Sequence, residues 1–215
     1  MTATPYATPR FDAALRETVS RNLARHAAIV AARPAGALKR AAVCLIVTDD
    51  GAGNASLVLT RRASHLNAHA GQFAFPGGRV DAGETVLDAA RREADEEIGL
   101  ALDAAAILGH LDDYETRSGY LITPLVAWVA AGAPMRANPD EVAAIYRVPL
   151  GELALPGSPE FVSIPESDRP VIRYPLLGTR IHAPTAAMLY QFMEVAVFGR
   201  DTRVAHLEAP VWAWR

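Results

Sequence analysis

The chain has 215 residues, of which 51% are hydrophobic and 21% charged, with a formal net charge of −3. This balance is typical of one globular domain with a sizeable core, and the slight negative charge argues against a nucleic-acid-binding surface. The single cysteine, Cys44, excludes an internal disulfide and any multi-cysteine zinc site. No apolar run reaches the length of a membrane span and no signal peptide is evident, so we expect a cytoplasmic protein.

The first elements are a helix and two strands. Apolar residues at helical spacing predict a helix from Phe11 to about Ala32, an N-terminal extension to the domain. The apolar run Ala41 to Val47 predicts a buried strand, in which Cys44 is a small core residue. A glycine-rich turn separates it from a second strand, Ser56 to Thr60.

Two arginines and a glycine pair follow the second strand. Arg61 and Arg62 are either solvated or suited to clamp an anionic substrate, because guanidinium offers a planar fork of donors. Gly77 and Gly78 allow the backbone to approach a ligand closely, and a carbonyl there is a candidate metal ligand.

An acidic helix comes next. Thr85 with Asp88 predicts a capping box at its start, and Gly99 predicts its end. Glu93, Glu96 and Glu97 fall on one side of the helix within about one turn, where like charges repel. Such a run is either a solvated acidic face or a carboxylate cage for a hard divalent cation.

The second half alternates strands with loops and ends in a helix. Ala105 to Leu111 and Leu121 to Val129 read as strands, and Pro124 inside the latter predicts an edge or a bulge. Glu141 closes a polar loop and is either an ordinary turn carboxylate or a further site residue. Positions 146–182 look irregular, with short strands near 161–162 and 171–174. A helix is predicted over about 184–198.

The acidic stretch resembles the signature of a known family. Gly78, Glu84, Arg92, Glu93, Glu96, Glu97, Gly99 and Leu100 match every fixed position of the Nudix box, G-x5-E-x7-R-E-U-x-E-E-x-G-U, where U is apolar. The resemblance implies an α+β Nudix fold, with a mixed β-sheet sandwiched between helices, as one domain over residues 1–215. It also implies hydrolysis of a pyrophosphate bond with Mg²⁺, or alternatively Mn²⁺.

The resemblance also implies roles for these residues. Glu93 and Glu97 would be the principal metal ligands, together with the Gly77 carbonyl. Glu96 would bind a second metal or position the attacking water. Arg92 would orient a glutamate, with Glu84 as its ion-pair partner, and Glu141 resembles a further metal ligand or base from outside the box. Arg61, Arg62, Gly77 and Gly78 are the expected substrate-binding residues.

The segment before the box resembles the signature of the coenzyme A pyrophosphatase branch. The matching residues are Leu59, Thr60, Arg62, Ala63, Gly71, Phe75, Pro76, Gly77 and Gly78, whereas Asn67 stands where that branch has arginine. We therefore expect a small nucleotide substrate similar to coenzyme A. The alternatives are ADP-ribose or another nucleoside diphosphate derivative, a nucleotide-sensing module without catalysis, and a structural protein with a solvated acidic helix. Dimerisation is common among relatives, and the sequence leaves a homodimer open.

Overall fold

A computed structural model describes residues 6–26, 38–65 and 70–214. The elements in chain order are α1 (Ala13–His26), β1 (Lys39–Asp49), β2 (Ala55–Arg62), β3 (Phe73–Ala74), β4 (Gly77–Arg79), α2 (Val86–Ile98), β5 (Ile107–His110), β6 (Tyr114–Glu115), β7 (Tyr120–Trp128), β8 (Val142–Pro149), β9 (Glu160–Ile164), β10 (Ser167–Leu176), β11 (Thr179–His182) and α3 (Thr185–Gln191). The predicted continuation of the first helix to Ala32, and Asn67, lie outside the described residues.

The central sheet is mixed. Its strands run in the order β3-β2-β1-β7-β5, with β4 paired to β1, β6 to β7 and β8 to β2. The pair β1–β7 is parallel and extends from Lys39 opposite Tyr120 to Val47 opposite Trp128, whereas the other pairs are antiparallel. The two parallel strands form the centre of the sheet. β1 also pairs with β4, the short strand that contains Gly77 and Gly78.

Helices cover both faces of this sheet. Side chains alternate across a strand, so Leu45 and Val47 of β1 pack into the core that includes α1 and α3, whereas Cys44 and Ile46 pack against α2. The predicted α+β Nudix arrangement, with a mixed sheet between helices, is confirmed. Cys44 is fully buried, as predicted, and burial raises the pKa of its thiol to about 12.

The predicted edge position of the proline-containing strand is wrong. β7 lies inside the sheet, between β1 on one side and the short strands β5 and β6 on the other. Pro124 falls between the β5 and β6 pairings, where its carbonyl accepts the Leu111 amide. Proline is tolerated there because the ladder is interrupted at that point. The register irregularity lies in β5, between Ile107 and Gly109.

The segment 146–182 is also more regular than its sequence indicates. β8 extends to Pro149, and β9, β10 and β11 form a separate three-stranded antiparallel sheet. The pattern is hidden because partly buried residues and Pro170 and Pro175 interrupt the alternation in β10. α3 begins after Pro184 and continues as a π-helical turn over Phe192–Val197, close to the predicted bounds.

In the described residues, no helix combines the length and apolar character that crossing a membrane requires.

Candidate active site

The glutamates are positioned by α2. Its first turn is closed by a capping box, in which the Thr85 hydroxyl accepts the Asp88 amide and the Asp88 carboxylate accepts the Thr85 amide. Gly99 ends the helix in the left-handed conformation, with φ 63°. Between these ends, Ala94 and Ile98 are buried in the core cluster that contains Cys44 and Ile46. Because Ala94 and Ile98 are held in the core, the rotation of α2 about its axis is fixed, and so is the direction in which the neighbouring glutamates point.

Three carboxylates converge beside the sheet. One oxygen each of Glu93, Glu97 and Glu141 lies within 4.8 Å of the others. Glu97 is only 2% exposed. Burial raises the pKa of Glu97 to about 8, with a further increase from Glu93, although the amide of Gly77 opposes the shift. Burial likewise raises the pKa of Glu93. We call these three side chains the acidic cluster.

Glu141 reaches the cluster because backbone hydrogen bonds hold its loop against the end of α2 and against the residue after β2. The Asn138 amide donates to the Glu97 carbonyl at 2.9 Å, which binds the loop to the end of α2. The Ala63 amide donates to the Glu141 carbonyl at 2.8 Å, which binds the other end of the loop to the residue after β2. These two contacts bring residues 44 positions apart, Glu97 and Glu141, into one site.

Arg92 is the hub of an ion-pair network at the rim. Its guanidinium binds both oxygens of Glu84, at 2.8 and 3.1 Å, and donates to Glu93 at 2.9 Å and Glu96 at 3.0 Å. It also donates to the Arg79 carbonyl. The hydrogen bonds to Glu84 raise the pKa of Arg92 further above its usual value. Arg92 therefore restrains the Glu93 side chain from the solvent side.

The glycines of β4 leave room for the glutamates. The Gly77 amide donates to Glu97 Oε2 at 3.2 Å. A Cβ at Gly77, where φ is +156°, would overlap the Ala42 carbonyl, and a Cβ at Gly78 would overlap the Glu93 carboxylate. Side chains at these two positions would therefore displace either the strand or a ligand of the cluster.

A cleft of about 480 Å³ adjoins Gly77 and Gly78. Its walls are mostly apolar and include Val43, Phe75, Ile122 and Met188. Arg62 also lines it and places Nη1 3.8 Å from Glu97 Oε1. We call this cavity the catalytic cleft.

The predicted site residues divide into groups. Glu93, Glu97, Glu141, Arg62, Gly77 and Gly78 lie together around the acidic cluster and the catalytic cleft. Glu96 does not join the cluster: its side chain is 51% exposed and pairs with Arg92. Arg61 lines a second cavity instead, because consecutive strand residues point to opposite sides. Sequence reasoning missed the apolar wall residues Ile122 of β7 and Met188 of α3, which belong to no motif.

The donor set of the acidic cluster fits a hard divalent cation. Carboxylate oxygens are the ligands that Mg²⁺ and Mn²⁺ prefer. Burial raises the pKa of Glu93 and of Glu97, so their negative charges are disfavoured in the absence of a cation. Two positive side chains contact the acidic cluster: Arg92 donates to Glu93 at 2.9 Å, and Arg62 places Nη1 3.8 Å from Glu97 Oε1.

Comparison with known proteins agrees with this geometry. The NUDIX domain model matches residues 38–167, more than half of the chain. An uncharacterized Nudix hydrolase NudL of Yersinia pestis is 44% identical over 98 residues, which cover 45% of this chain and 49% of that protein. The NudL protein of Yersinia pseudotuberculosis matches equally. The chain thus spans about half the length of the curated relatives it matches.

A crystal structure shares the fold. The MutT/nudix family protein from Enterococcus faecalis superposes with a TM-score of 0.53 at 16% identity, over 73% of this chain and 64% of that one. Because the NUDIX domain model matches more than half of the chain, and Glu93 and Glu97 of the signature lie in the acidic cluster, the chain belongs to the Nudix family.

Proposed function

We propose that the protein hydrolyses a pyrophosphate bond in a nucleotide with divalent-metal help, and that coenzyme A or a derivative is the substrate. The observation that carries this proposal is the acidic cluster of Glu93, Glu97 and Glu141 at one end of an apolar cleft that also contains Arg62.

Each residue has a chemical task in this reaction. Glu93 and Glu97 would hold the cation, together with the Gly77 carbonyl, and Glu141 would act as the base; a bound Mg²⁺ would neutralise diphosphate charge and acidify water. Arg92 keeps Glu93 in place through the 2.9 Å contact. Arg62 is placed to bind a phosphate oxygen that approaches the cluster.

The reaction itself is a substitution at phosphorus. A water oxygen forms a bond to one phosphorus while the bond from that phosphorus to the bridging oxygen breaks, and the second phosphate leaves as a monoester. The water proton passes to a carboxylate and then to solvent. Glu141 is a better candidate for this base than Glu96, since Glu96 lies outside the cluster and is held by Arg92.

The walls of the catalytic cleft favour coenzyme A over ADP-ribose. The pantetheine arm is long and largely uncharged, and apolar walls such as Ile122 and Met188 suit it. The second ribose of ADP-ribose carries several hydroxyls, and the apolar part of these walls offers them no hydrogen-bond partners. For coenzyme A the products would be 4′-phosphopantetheine and adenosine 3′,5′-bisphosphate.

The test is Mg²⁺-dependent turnover of coenzyme A, with ADP-ribose in parallel and products identified by mass. We expect coenzyme A to be cleaved into the two fragments, and Glu97→Gln to lower kcat/KM by about a hundredfold or more. Glu17→Gln, which removes an exposed carboxylate on α1, is the matched control and should leave turnover unchanged. Cleavage of ADP-ribose but not coenzyme A would refute the substrate, and Mg²⁺-independent turnover would refute the site.

A further inference from the structure

A second cavity of about 480 Å³ lies beside the catalytic cleft. Arg61, Phe73, Tyr146, Arg180, His182 and Trp212 are among the residues that line it. We call this cavity the aromatic chamber. It is built from the end of β2, residues 70–73, β8, the β10–β11 hairpin and the C-terminal segment, all of which lie outside the Nudix box.

The aromatic chamber and the catalytic cleft adjoin each other. Gln72, Phe73 and Thr185 line both cavities. Thr185 Oγ1 donates to the Phe73 carbonyl at 3.3 Å, which fixes this shared wall. Arg61 and Arg62, adjacent on β2, line one cavity each. A molecule with two arms that crosses this shared wall would place one arm in each cavity.

Four flat rings line the aromatic chamber. Phe73 and Tyr146 contact edge to face, with centroids 5.3 Å apart, and His182 and Trp212 do the same at 5.3 Å. Trp212 is 57% exposed, which is unusual for so large an apolar side chain in a folded protein. Exposed aromatic faces of this kind suit stacking of a nucleobase.

The charge of the aromatic chamber is positive. Arg61 and Arg180 line it, and among its described lining residues there is no carboxylate. Arg180 uses Nε to bind Glu160 at 3.1 Å, and its side chain remains 57% exposed. Two guanidinium groups that line one cavity, Arg61 from β2 and Arg180 from β11, offer the planar donors that bind a phosphate monoester.

We propose that the aromatic chamber binds the nucleoside end of the substrate, with a purine stacked on its rings and a ribose phosphate monoester held by Arg61 and Arg180. This inference rests on the proposed function, which places the diphosphate at the acidic cluster and the apolar arm in the catalytic cleft. The aromatic chamber would then select nucleotides that carry a phosphate on the ribose in addition to the diphosphate.

Turnover of coenzyme A and of dephospho-coenzyme A, which lacks the ribose 3′-phosphate, tests the proposal. We expect Arg180→Ala to lower kcat/KM for coenzyme A about tenfold and to leave dephospho-coenzyme A nearly unchanged, since only the former carries the monoester. Trp212→Ala should lower kcat/KM for both substrates equally. Arg200→Ala, which removes another exposed, ion-paired arginine outside both cavities, is the matched control and should change neither. Equal losses with both substrates in Arg180→Ala, or none, would overturn the proposal.

A binding measurement separates this proposal from the catalytic one. Calorimetric titration of adenosine 3′,5′-bisphosphate and of adenosine 5′-monophosphate requires no turnover. The bisphosphate should bind more tightly to the wild type, and Arg180→Ala should remove that preference. Loss of the preference in a protein that does not cleave coenzyme A would support the chamber and refute the proposed substrate. Cleavage of coenzyme A with unchanged bisphosphate binding in Arg180→Ala and Trp212→Ala would refute the chamber alone.

Discussion

Glu97 is the most deeply buried carboxylate of the acidic cluster. Its burial makes the stability of the folded protein depend on pH. Its pKa is raised to about 8 by burial in the folded, metal-free protein. The folded state therefore binds more protons than the unfolded state between the ordinary glutamate pKa and about 8, so the free energy of unfolding falls as pH rises through this range. At about 1.4 kcal/mol per pKa unit, we expect a loss of at least ~1 kcal/mol between pH 5 and pH 8 in EDTA.

Denaturant unfolding of the wild type and of Glu97→Gln in EDTA measures this effect. The neutral variant should lose less stability over the same pH range, because its side chain does not titrate. Mg²⁺ should stabilise the wild type more at pH 8 than at pH 5, since the cation competes with protons for the same oxygens. Parallel pH profiles for the two proteins would contradict the assignment of the shift to Glu97.

At the scale of the element, α2 depends on its capping box. The Thr85 hydroxyl accepts the Asp88 amide at 3.1 Å, and its loss leaves an amide of the first turn without that partner. We expect Thr85→Ala to lower the free energy of unfolding by about 1 kcal/mol. Thr18→Ala is the matched control, because the Thr18 hydroxyl donates to the Ala14 carbonyl and accepts from Arg21 inside α1 and caps no helix end. Thermal denaturation of both variants compares them, and a larger loss in Thr18→Ala would disprove the role of the cap.

At the scale of the whole molecule, Asp112 joins distant parts of the chain. Its buried carboxylate accepts hydrogen bonds from Gln191 at 2.7 Å and Arg203 at 2.8 Å, and lies 3.0 Å from His26 Nε2. These contacts connect three distant parts of the chain to Asp112, which follows β5. His26 lies in α1, Gln191 in α3 and Arg203 in the C-terminal segment. Asp112→Asn should lower the free energy of unfolding by about 2–4 kcal/mol, because it leaves Arg203 and the amide of Gln191 poorly matched in a buried site.

The control for this network is its exposed member. Asp201 binds Arg203 at 2.8 Å, but its side chain is 78% exposed. Asp201→Asn should therefore cost less than about 1 kcal/mol. Asp112 lines neither the catalytic cleft nor the aromatic chamber, so Asp112→Asn should retain turnover at temperatures where it is folded. Similar unfolding free energies for the two variants would exclude the linking role.

The local features of this protein were readable from the order of its residues. Capping of α2 by Thr85 and Asp88, its end at Gly99 and the burial of Cys44 depend on neighbours in the chain, and all three predictions are confirmed. The predicted Nudix fold is also confirmed. It was predictable because the fixed positions of the motif all lie in one short stretch, from Gly78 to Leu100. Short-range spacing carries that information.

What the tertiary structure decided depends on contacts between distant segments. Only packing shows that Glu141 joins Glu93 and Glu97 while Glu96 turns towards Arg92, since helical spacing alone puts three glutamates on one side. Only strand pairing shows that β7 lies inside the sheet despite Pro124, because the gap between β5 and β6 is invisible in the sequence of β7 itself. The aromatic chamber likewise gathers Arg61, Tyr146 and Trp212 from three separate segments. The sequence by itself determined the family and the start and end of α2. The fold determined which side chains share a cavity, because proximity in space arises from long-range pairing that no local pattern encodes.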